Sequence, residues 1–380
     1  MLQAASEKNY IGGGKLYFSL ELGWERWKLA FSSGLGGEVW QTAVVARDRA
    51  GLKAAIERAG RRFGVSAKCA VVSCYEAGRD GFWLDRWLRS EGIENLVVDS
   101  SSLEVNRRAR RVKTDRIDAA KLLSMLLRYE AGERRVWSVV RVPSESQEDA
   151  RHLHRELRTL KKERTRLINR IKGLLATQGV DRAMNRQGLL RPLEQMRMWD
   201  GSPLPEGLRR RVELEVVRHA FVHEQVLSCE TQVRRMVRGS SEPAVAEVRK
   251  LQRLRAVGPS GAVILVREFG WRRFRNRREV GALAGLTPTP YQSGQMLREG
   301  SISRAGNRHV RGVIVDLAWA WLRYQPDSEL SQWYQHRFAA GGSRVRRIGI
   351  VALARRLLIA LWRYWAHGEI PQGAVLKSCV

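Results

Sequence analysis

The first third of the chain alternates strand-like with helix-like runs of apolar and polar residues. Lys15 to Leu22 (KLYFSLEL), Trp27 to Ser32 (WKLAFS) and Val39 to Val45 (VWQTAVV) predict three β-strands separated by glycine-containing turns. Asp48 to Phe63 switches to helical periodicity, with Leu52, Ala55, Ile56 and Ala59 on one face. Lys68 to Tyr75 (KCAVVSCY) has the length of a buried strand. Gly81 to Gly92 carries Phe82, Leu84, Trp87 and Leu88 in a short helix, and Leu96 to Asp99 predicts a closing strand.

Between residues 144 and 240 the pattern lengthens into helices. Leu153, Leu157, Leu160, Leu167, Ile171 and Leu174 follow a four-three spacing with Arg164 as the lapse. Leu208, Val212, Val222, Val226, Cys229, Val233 and Met236 repeat it, with Glu215 and His219 as lapses. Joined by the Gly/Pro-containing stretch from Gly179 to Pro205, the two segments predict either a helical hairpin or a coiled coil that assembles subunits. Gly239 to Pro243 is a natural boundary, and shorter helices with glycine-rich breaks and many arginines are expected from Leu251 onward. The expected division is therefore an α/β domain over 1–143, a helical coiled-coil middle over 144–240 and a mainly α domain over 241–380. Three meandering strands and then alternating helix and strand is the order of a ribonuclease-H-like domain.

Charge narrows the function. Against 68 Lys and Arg stand 39 Asp and Glu, a net charge of +29. Such a surface repels itself unless a polyanion shares it, and nucleic acid fits best because neutralised phosphates release counterions. An anionic membrane surface is the competing partner. The most apolar stretch, Ile348 to Trp365, is broken by Arg355, Arg356 and Arg363, and residues 1–14 lack a signal pattern, so a cytoplasmic chain without membrane spans is expected. Four cysteines are too few for a disulfide scaffold, and Cys69 and Cys74 have no second pair at zinc spacing. His219 and His223 stand at a metal spacing on a helix but have no third ligand, so a surface pair is expected.

In a chain this basic, acids at strand ends matter more. Glu21 ends the first predicted strand, and Glu76 follows the apolar fourth one. Asp115 and Asp118 lie three apart at a helix start, on one helical face. Strand ends and a helix N-terminus converge readily in such sheets, and clustered carboxylates need cations. Mg²⁺ suits them, being a hard ion that leaves positions for phosphate and water, and two such ions would serve both oxygens of a phosphodiester cleavage. Each acid alone also reads as an ordinary strand-end or first-turn charge. The basic flank Arg107, Arg108, Arg110, Arg111 and Lys113 favours the joint reading and is a candidate nucleic-acid contact. Further on, Leu254 to Gly261 reads as helix, glycine-rich turn and helix, so Gly258 and Gly261 are candidates for phosphate contact through backbone N–H groups.

The runs Tyr75-Glu76-Ala77-Gly78 and Lys113-Thr114-Asp115-Arg116-Ile117-Asp118-Ala119 resemble the acidic motifs of the DEDD insertion-sequence transposases of the IS110 and IS1111 groups. These are bridge-RNA recombinases whose N-terminal domain is RuvC-like. The C-terminal runs Ala282-Leu283-Ala284-Gly285-Leu286-Thr287-Pro288, Tyr291-Gln292-Ser293-Gly294 and Gly300 to Arg308 match the family's transposase domain in order and spacing. The resemblance spans roughly residues 15–368, although the middle helices match only in character. It departs at the first acid, where the family usually has Asp and this chain has Glu21. The extra methylene moves the carboxylate by about one bond length, while Mg²⁺ demands near-octahedral geometry.

The resemblance implies that Ser293 is the nucleophile, that Glu21, Glu76, Asp115 and Asp118 hold Mg²⁺, and that a serine–DNA ester conserves the bond energy for rejoining. Arg298, Arg304 and Arg308 are placed to balance phosphate charge. Without the resemblance Ser293 reads as a turn residue before Gly294, and Tyr291 is a rival nucleophile. The family further implies donor and target DNA as substrates, guidance by a noncoding RNA, and assembly as a homodimer or homotetramer. Two other readings stay open: a metal-dependent Holliday-junction nuclease that uses only the carboxylates, and a non-enzymatic nucleic-acid-binding protein.

Overall fold

The alternating runs at the start of the chain form one five-stranded sheet in a computed structural model that describes residues 14–66, 68–104, 115–180, 192–293 and 296–377. The chain divides into two units, Met1–Ser144 and Glu145–Val380. In the first, β1 (Leu16–Leu22), β2 (Arg26–Ser32) and β3 (Trp40–Val45) form an antiparallel meander. After α1 (Arg49–Arg62), β4 (Val71–Glu76) lies parallel to β1; after α2 (Trp83–Ser90), β5 (Glu94–Val98) lies parallel to β4. The strand order is β3-β2-β1-β4-β5, and α3 (Asp115–Glu130) follows.

Strand pleating distributes the side chains between two cores. Leu16, Phe18, Leu20 and Tyr75 pack with Leu52 and Ala55 of α1 and with Leu84 and Leu88 of α2. On the other face Ala30, Val72 and Cys74 pack with Ala119, Leu122 and Leu126 of α3. The Ser19 hydroxyl donates to the Ala119 carbonyl at 2.6 Å and fixes α3 along β1. Asp48 caps α1 by accepting from the Gly51 N–H at 2.9 Å. The main departures from the expected strands follow from pairing. β4 starts at Val71 rather than Lys68 because β1 offers its first partner, Leu16, only there. β5 starts at Glu94, opposite Val72, rather than at Leu96.

The second unit opens with α4 (Glu145–Asp149), α5 (His152–Ala176), the 34-residue α6 (Glu206–Gly239), α7 (Pro243–Gln252) and α8 (Pro259–Leu265). A π-helical turn, Val266–Gly270, extends α8. Next come α9 (Arg277–Leu283), the strands β6 (Pro288–Ser293) and β7 (Met296–Ile302), α10 (Arg308–Tyr324), α11 (Glu329–Tyr334) and α12 (Ser343–His367). The C-terminal third is less purely helical than its pattern suggested, and two of its helices are long: α10 has 17 residues and α12 has 25. Gly349 does not break α12; a Cβ there would meet the ring of Phe338, so the glycine permits close approach. Among the described residues, no helix is long and apolar enough to cross a membrane.

α5 and α6 pair antiparallel along the predicted seam. Leu157 and Leu160 of α5 and Val226 and Val233 of α6 join the core of the later helices, while Ile171, Leu175 and Val212 form a separate core at the far end. The lapses in the two patterns find polar partners along the seam. Arg164 Nη1 lies 3.3 Å from His223 Nδ1, and the ring of His223 stacks on that of His219. Glu215, a buried residue, accepts from Arg170 at 3.0 Å and from Arg218 at 2.8 Å. Burial pushes its carboxyl up, and the two guanidiniums bring it below the usual range. Such a polar layer fixes register at some cost in stability.

The seam generates a test by urea unfolding. Glu215→Leu completes the apolar stripe and is expected to stay within ~1 kcal/mol of the parent, whereas Glu215→Ala removes the same carboxylate but leaves a void in the seam and is expected to lose ~1–3 kcal/mol. Equal losses in both would show that the ionic layer, not apolar packing, sustains the pair.

Candidate active site

The first unit carries the acids on one edge of its sheet. β1 and β4 run parallel with Leu20 opposite Tyr75, so Glu21 and Glu76 come one step later, at the adjacent C-terminal strand ends. Ser19 and Cys74 both turn toward α3, through contacts with the carbonyls of Ala119 and Leu122. The two-residue period of a strand then directs Glu21 and Glu76 to that same face. Asp118 precedes Ala119 and falls on the stripe of α3 that continues with Leu122 and Leu126, the stripe packed on the sheet. All three acids are partly buried. Asp115 opens α3, and its side chain lies outside the described residues, as do Arg107, Arg108, Arg110, Arg111 and Lys113.

The donor chemistry suits a hard divalent cation, since each of these groups offers carboxylate oxygens. Among the described residues, however, no three Asp, Glu, His or Cys side chains gather closely enough to hold an ion. The fold thus brings Glu21, Glu76 and the first turn of α3 to one edge and one face without drawing the three described carboxylates into a closed cage.

In the second unit Ser293 ends β6. It pairs with Met296, while Gln292 pairs with Leu297 and Tyr291 with Arg298 in an antiparallel hairpin. Gly294 and Gln295 lie outside the described residues, as do the side chains of Tyr291, Ser293 and Arg298. No alternating pattern marks these strands, because Pro288, Pro290 and Gly300 interrupt them. Backbone bonds clamp the foot of the hairpin: Ser303 N–H to the Thr287 carbonyl at 2.8 Å, Arg304 N–H to Gly285 at 3.1 Å and Asn307 N–H to Leu283 at 2.6 Å. Gly285 and Gly306 have φ of 63° and 119°, and a Cβ at either would overlap the carbonyl of Ala305 or Leu283. The glycines of two separate motifs therefore serve one junction.

Arg304 is also left-handed, at φ 55°, and its carbonyl accepts from Arg311 Nη1 at 2.9 Å. Arg308 is exposed at the start of α10. Gly258 caps α8, whereas Gly261 lies within α8 against Val313 and Leu317 of α10.

Behind that junction lies an acid that the sequence pattern did not single out. Glu268, in the π-helical turn, has a side chain with no exposed surface. Its Oε1 faces His154 Nε2 at 3.0 Å and accepts from Arg155 Nε at 2.6 Å; Oε2 accepts from Arg155 Nη2 at 3.0 Å and Asn307 Nδ2 at 2.9 Å. Asn307 in turn caps α10, accepting from the N–H groups of His309 and Val310 at 2.8 and 3.2 Å. Burial pushes the Glu268 carboxyl up, but these donors outweigh it and hold the group well below the usual carboxylate range. A lone Glu in the apolar run Ala262 to Phe269 was the available clue. Burial also pushes the neighbouring His309 down to about 4, with Glu268 opposing the shift and Arg155, Arg158 and Arg308 adding to it.

Both shifts make the folded chain bind protons later than the unfolded chain. Stability is expected to fall as pH drops from the ordinary His value of 6.5 toward about 4, with Glu268 adding a further loss below 4.5. Unfolding midpoints across that range should drop less steeply for His309→Gln than for the parent. Parallel curves for the two proteins would remove His309 from the account.

The family profile described as Transposase IS116/IS110/IS902 family matches residues 248–335, the segment that contains Glu268, the hairpin, α10 and α11. A second transposase profile, the DEDD domain of IS110 elements, matches residues 31–178, which includes Glu76, Asp115 and Asp118 but begins after Glu21. A protein of Sinorhizobium fredii named transposase y4rJ is 40% identical over 387 residues, covering 96% of this chain and 95% of its own length. Transposase y4qE of the same organism is 32% identical over 324 residues, covering 85% and 75%. A family 20 transposase of Pseudomonas aeruginosa is 27% identical over 237 residues, covering 61% and 68%. With both profiles matched in order, and a relative at 40% identity along nearly its whole length, the chain belongs to the IS110 family of insertion-sequence transposases.

Proposed function

We propose that this transposase cuts and rejoins DNA through Ser293, assisted by a divalent cation, Mg²⁺, held among Glu21, Glu76, Asp115 and Asp118. The observation that carries the reading is the shared face of Glu21, Glu76 and the first turn of α3 at one edge of the sheet. Strand order β3-β2-β1-β4-β5 supports a ribonuclease-H-like, RuvC-like first domain. In this reading residues 144–240 are a connecting coiled coil and 241–380 the serine-bearing domain. The cation, when bound, lowers the barrier by neutralising the charge that builds on phosphate oxygens.

The remaining work falls to the chain. The Ser293 hydroxyl attacks phosphorus: a bond from Oγ to phosphorus forms and the bond to one sugar oxygen breaks, and the proton that the serine gives up is balanced by the one the departing sugar oxygen takes up, so that the sugar leaves as a free hydroxyl. A second sugar hydroxyl attacks the serine ester and restores Ser293, so rejoining needs no ATP. The hairpin foot clamped by Gly285, Gly306 and Asn307 keeps the nucleophile-bearing strand in a fixed direction. Arg298, Arg304 and Arg308 follow Ser293 closely in sequence and would supply positive charge for the phosphates. Excess charge of +29 accommodates both DNA and a noncoding guide RNA, and the basic flank Arg107 to Lys113 adjoins the acidic helix in sequence.

The test is recombination of donor and target DNA by the full chain with RNA transcribed from its native flanking DNA. Ser293→Ala is expected to abolish both product and the covalent protein–DNA adduct, while Asp118→Asn or chelation lowers turnover at least ~100-fold. Cleavage that persists in Ser293→Ala without an adduct would replace this reading with a junction nuclease that uses only the carboxylates. Recombination that proceeds equally without the RNA would remove the guide.

A further inference from the structure

Next to the acidic edge of the first unit stands an aromatic residue that the recombination chemistry does not use. Trp24 occupies the β1–β2 turn, three residues beyond Glu21, and is 70% exposed. A single exposed indole is unremarkable; this one is framed. The guanidinium of Arg79 lies 4.1 Å from the ring centroid and that of Arg47 5.3 Å. Asp80, with a side chain 3% exposed, holds both: Oδ1 accepts from Arg47 Nη2 at 3.0 Å and Oδ2 from Arg79 Nη2 at 2.6 Å. Arg79 also donates to the carbonyls of Leu22 and Gly23 at 3.3 and 3.1 Å, fastening the loop after β4 to the turn after β1.

The construction is not a by-product of regular structure. Arg47 adopts a left-handed backbone at φ 68°, a conformation that costs a non-glycine residue energy and persists where neighbours enforce it. Three separate segments, after β1, β3 and β4, thus meet around one indole that keeps most of its surface open to solvent. The frame rises from the same strand ends that carry Glu21 and Glu76, since Arg79 lies three residues beyond Glu76.

We propose that Trp24, with Arg47 and Arg79, is a stacking platform for an unpaired nucleotide of the DNA strand that lies at the carboxylate edge. The indole offers a flat face to a base, and the guanidiniums offer charge to the flanking phosphates. Paired bases in a duplex already stack on both sides, so the platform selects a strand that is opened or gapped. The inference rests on the reading of the sheet edge as a DNA-cutting site and adds the nucleotide that this edge grips. Asp80 acts as a positioning residue, because it touches the two arginines and not the nucleotide.

Photo-crosslinking of the full chain to 5-iodouracil-substituted DNA, gapped or single-stranded, tests this in chelator, where no cleavage occurs. Adduct mapping is expected to find Trp24 in the tryptic peptide Leu16–Arg26. Trp24→Ala should weaken gapped-DNA binding about 5- to 10-fold and leave intact duplex nearly unchanged, and Trp24→Phe should restore most of the loss. Because the indole is exposed, the alanine variant keeps its core. Unchanged gapped-DNA affinity in Trp24→Ala, adducts only at other residues, or preferential crosslinking of an RNA of the same sequence would each overturn the proposal. Since the readout is binding without divalent cation, a Trp24 adduct alongside cleavage-competent Ser293→Ala would sink the serine mechanism and leave the platform standing.

Discussion

A carboxylate sealed from water stays ionised only if its oxygens are met by donors, and Glu268 satisfies that condition with groups from two distant helices. His154 and Arg155 reach it from α5, and Asn307 reaches it from the cap of α10. One acid therefore fixes the start of the long helical pair relative to the start of α10. Removing it would take the partner from the buried His154 ring, from the Asn307 amide and from the half-exposed Arg155 guanidinium, which is why the charge ties the elements together more firmly than an apolar contact of the same size. The π-helical turn is the local device that supplies it, since an inserted residue re-aims one side chain without ending the helix.

The consequence runs outward. Asn307 uses its amide nitrogen on Glu268 and its oxygen on the first turn of α10, so its backbone is held where its N–H meets Leu283. That bond, with those at Ser303 and Arg304, seats the loop before α10 on the loop after α9, and the hairpin that ends in Ser293 grows from this seat. A reactive group on a hairpin tip gains direction from its foot, so the buried acid and the proposed nucleophile are links of one chain of contacts within the unit.

In the sheet unit the governing constraint is pleat parity. β1 must send Phe18 and Leu20 toward α1 and α2, which leaves Ser19 and Glu21 for α3. β4 obeys the same rule with Tyr75 and Cys74, so its terminal Glu76 follows Glu21 to the same side. Pleat parity thus carries both terminal acids to one face of the sheet in a chain whose net charge is +29.

Periodicity and charge, which are properties of neighbouring residues, were legible in the chain alone. The strands of the meander, α1, the paired seam of α5 and α6 and the polyanion partner all follow from them, as do the acids at the ends of β1 and β4. The lapses at Arg164 and Glu215 were visible as lapses. That His223, Arg170 and Arg218 would answer them was not, because each partner depends on the register of two antiparallel helices. Likewise Pro288, Pro290 and Gly300 hid the hairpin until pairing supplied the hydrogen bonds that local propensity did not. Only the tertiary structure could decide that Glu268 meets His154 across 114 residues, or that Arg47 and Arg79 close on Trp24. The physical reason is common to all of these. A local pattern determines which face of an element is apolar, whereas the fate of a polar group on that face is set by whatever distant donor the packed chain brings within reach.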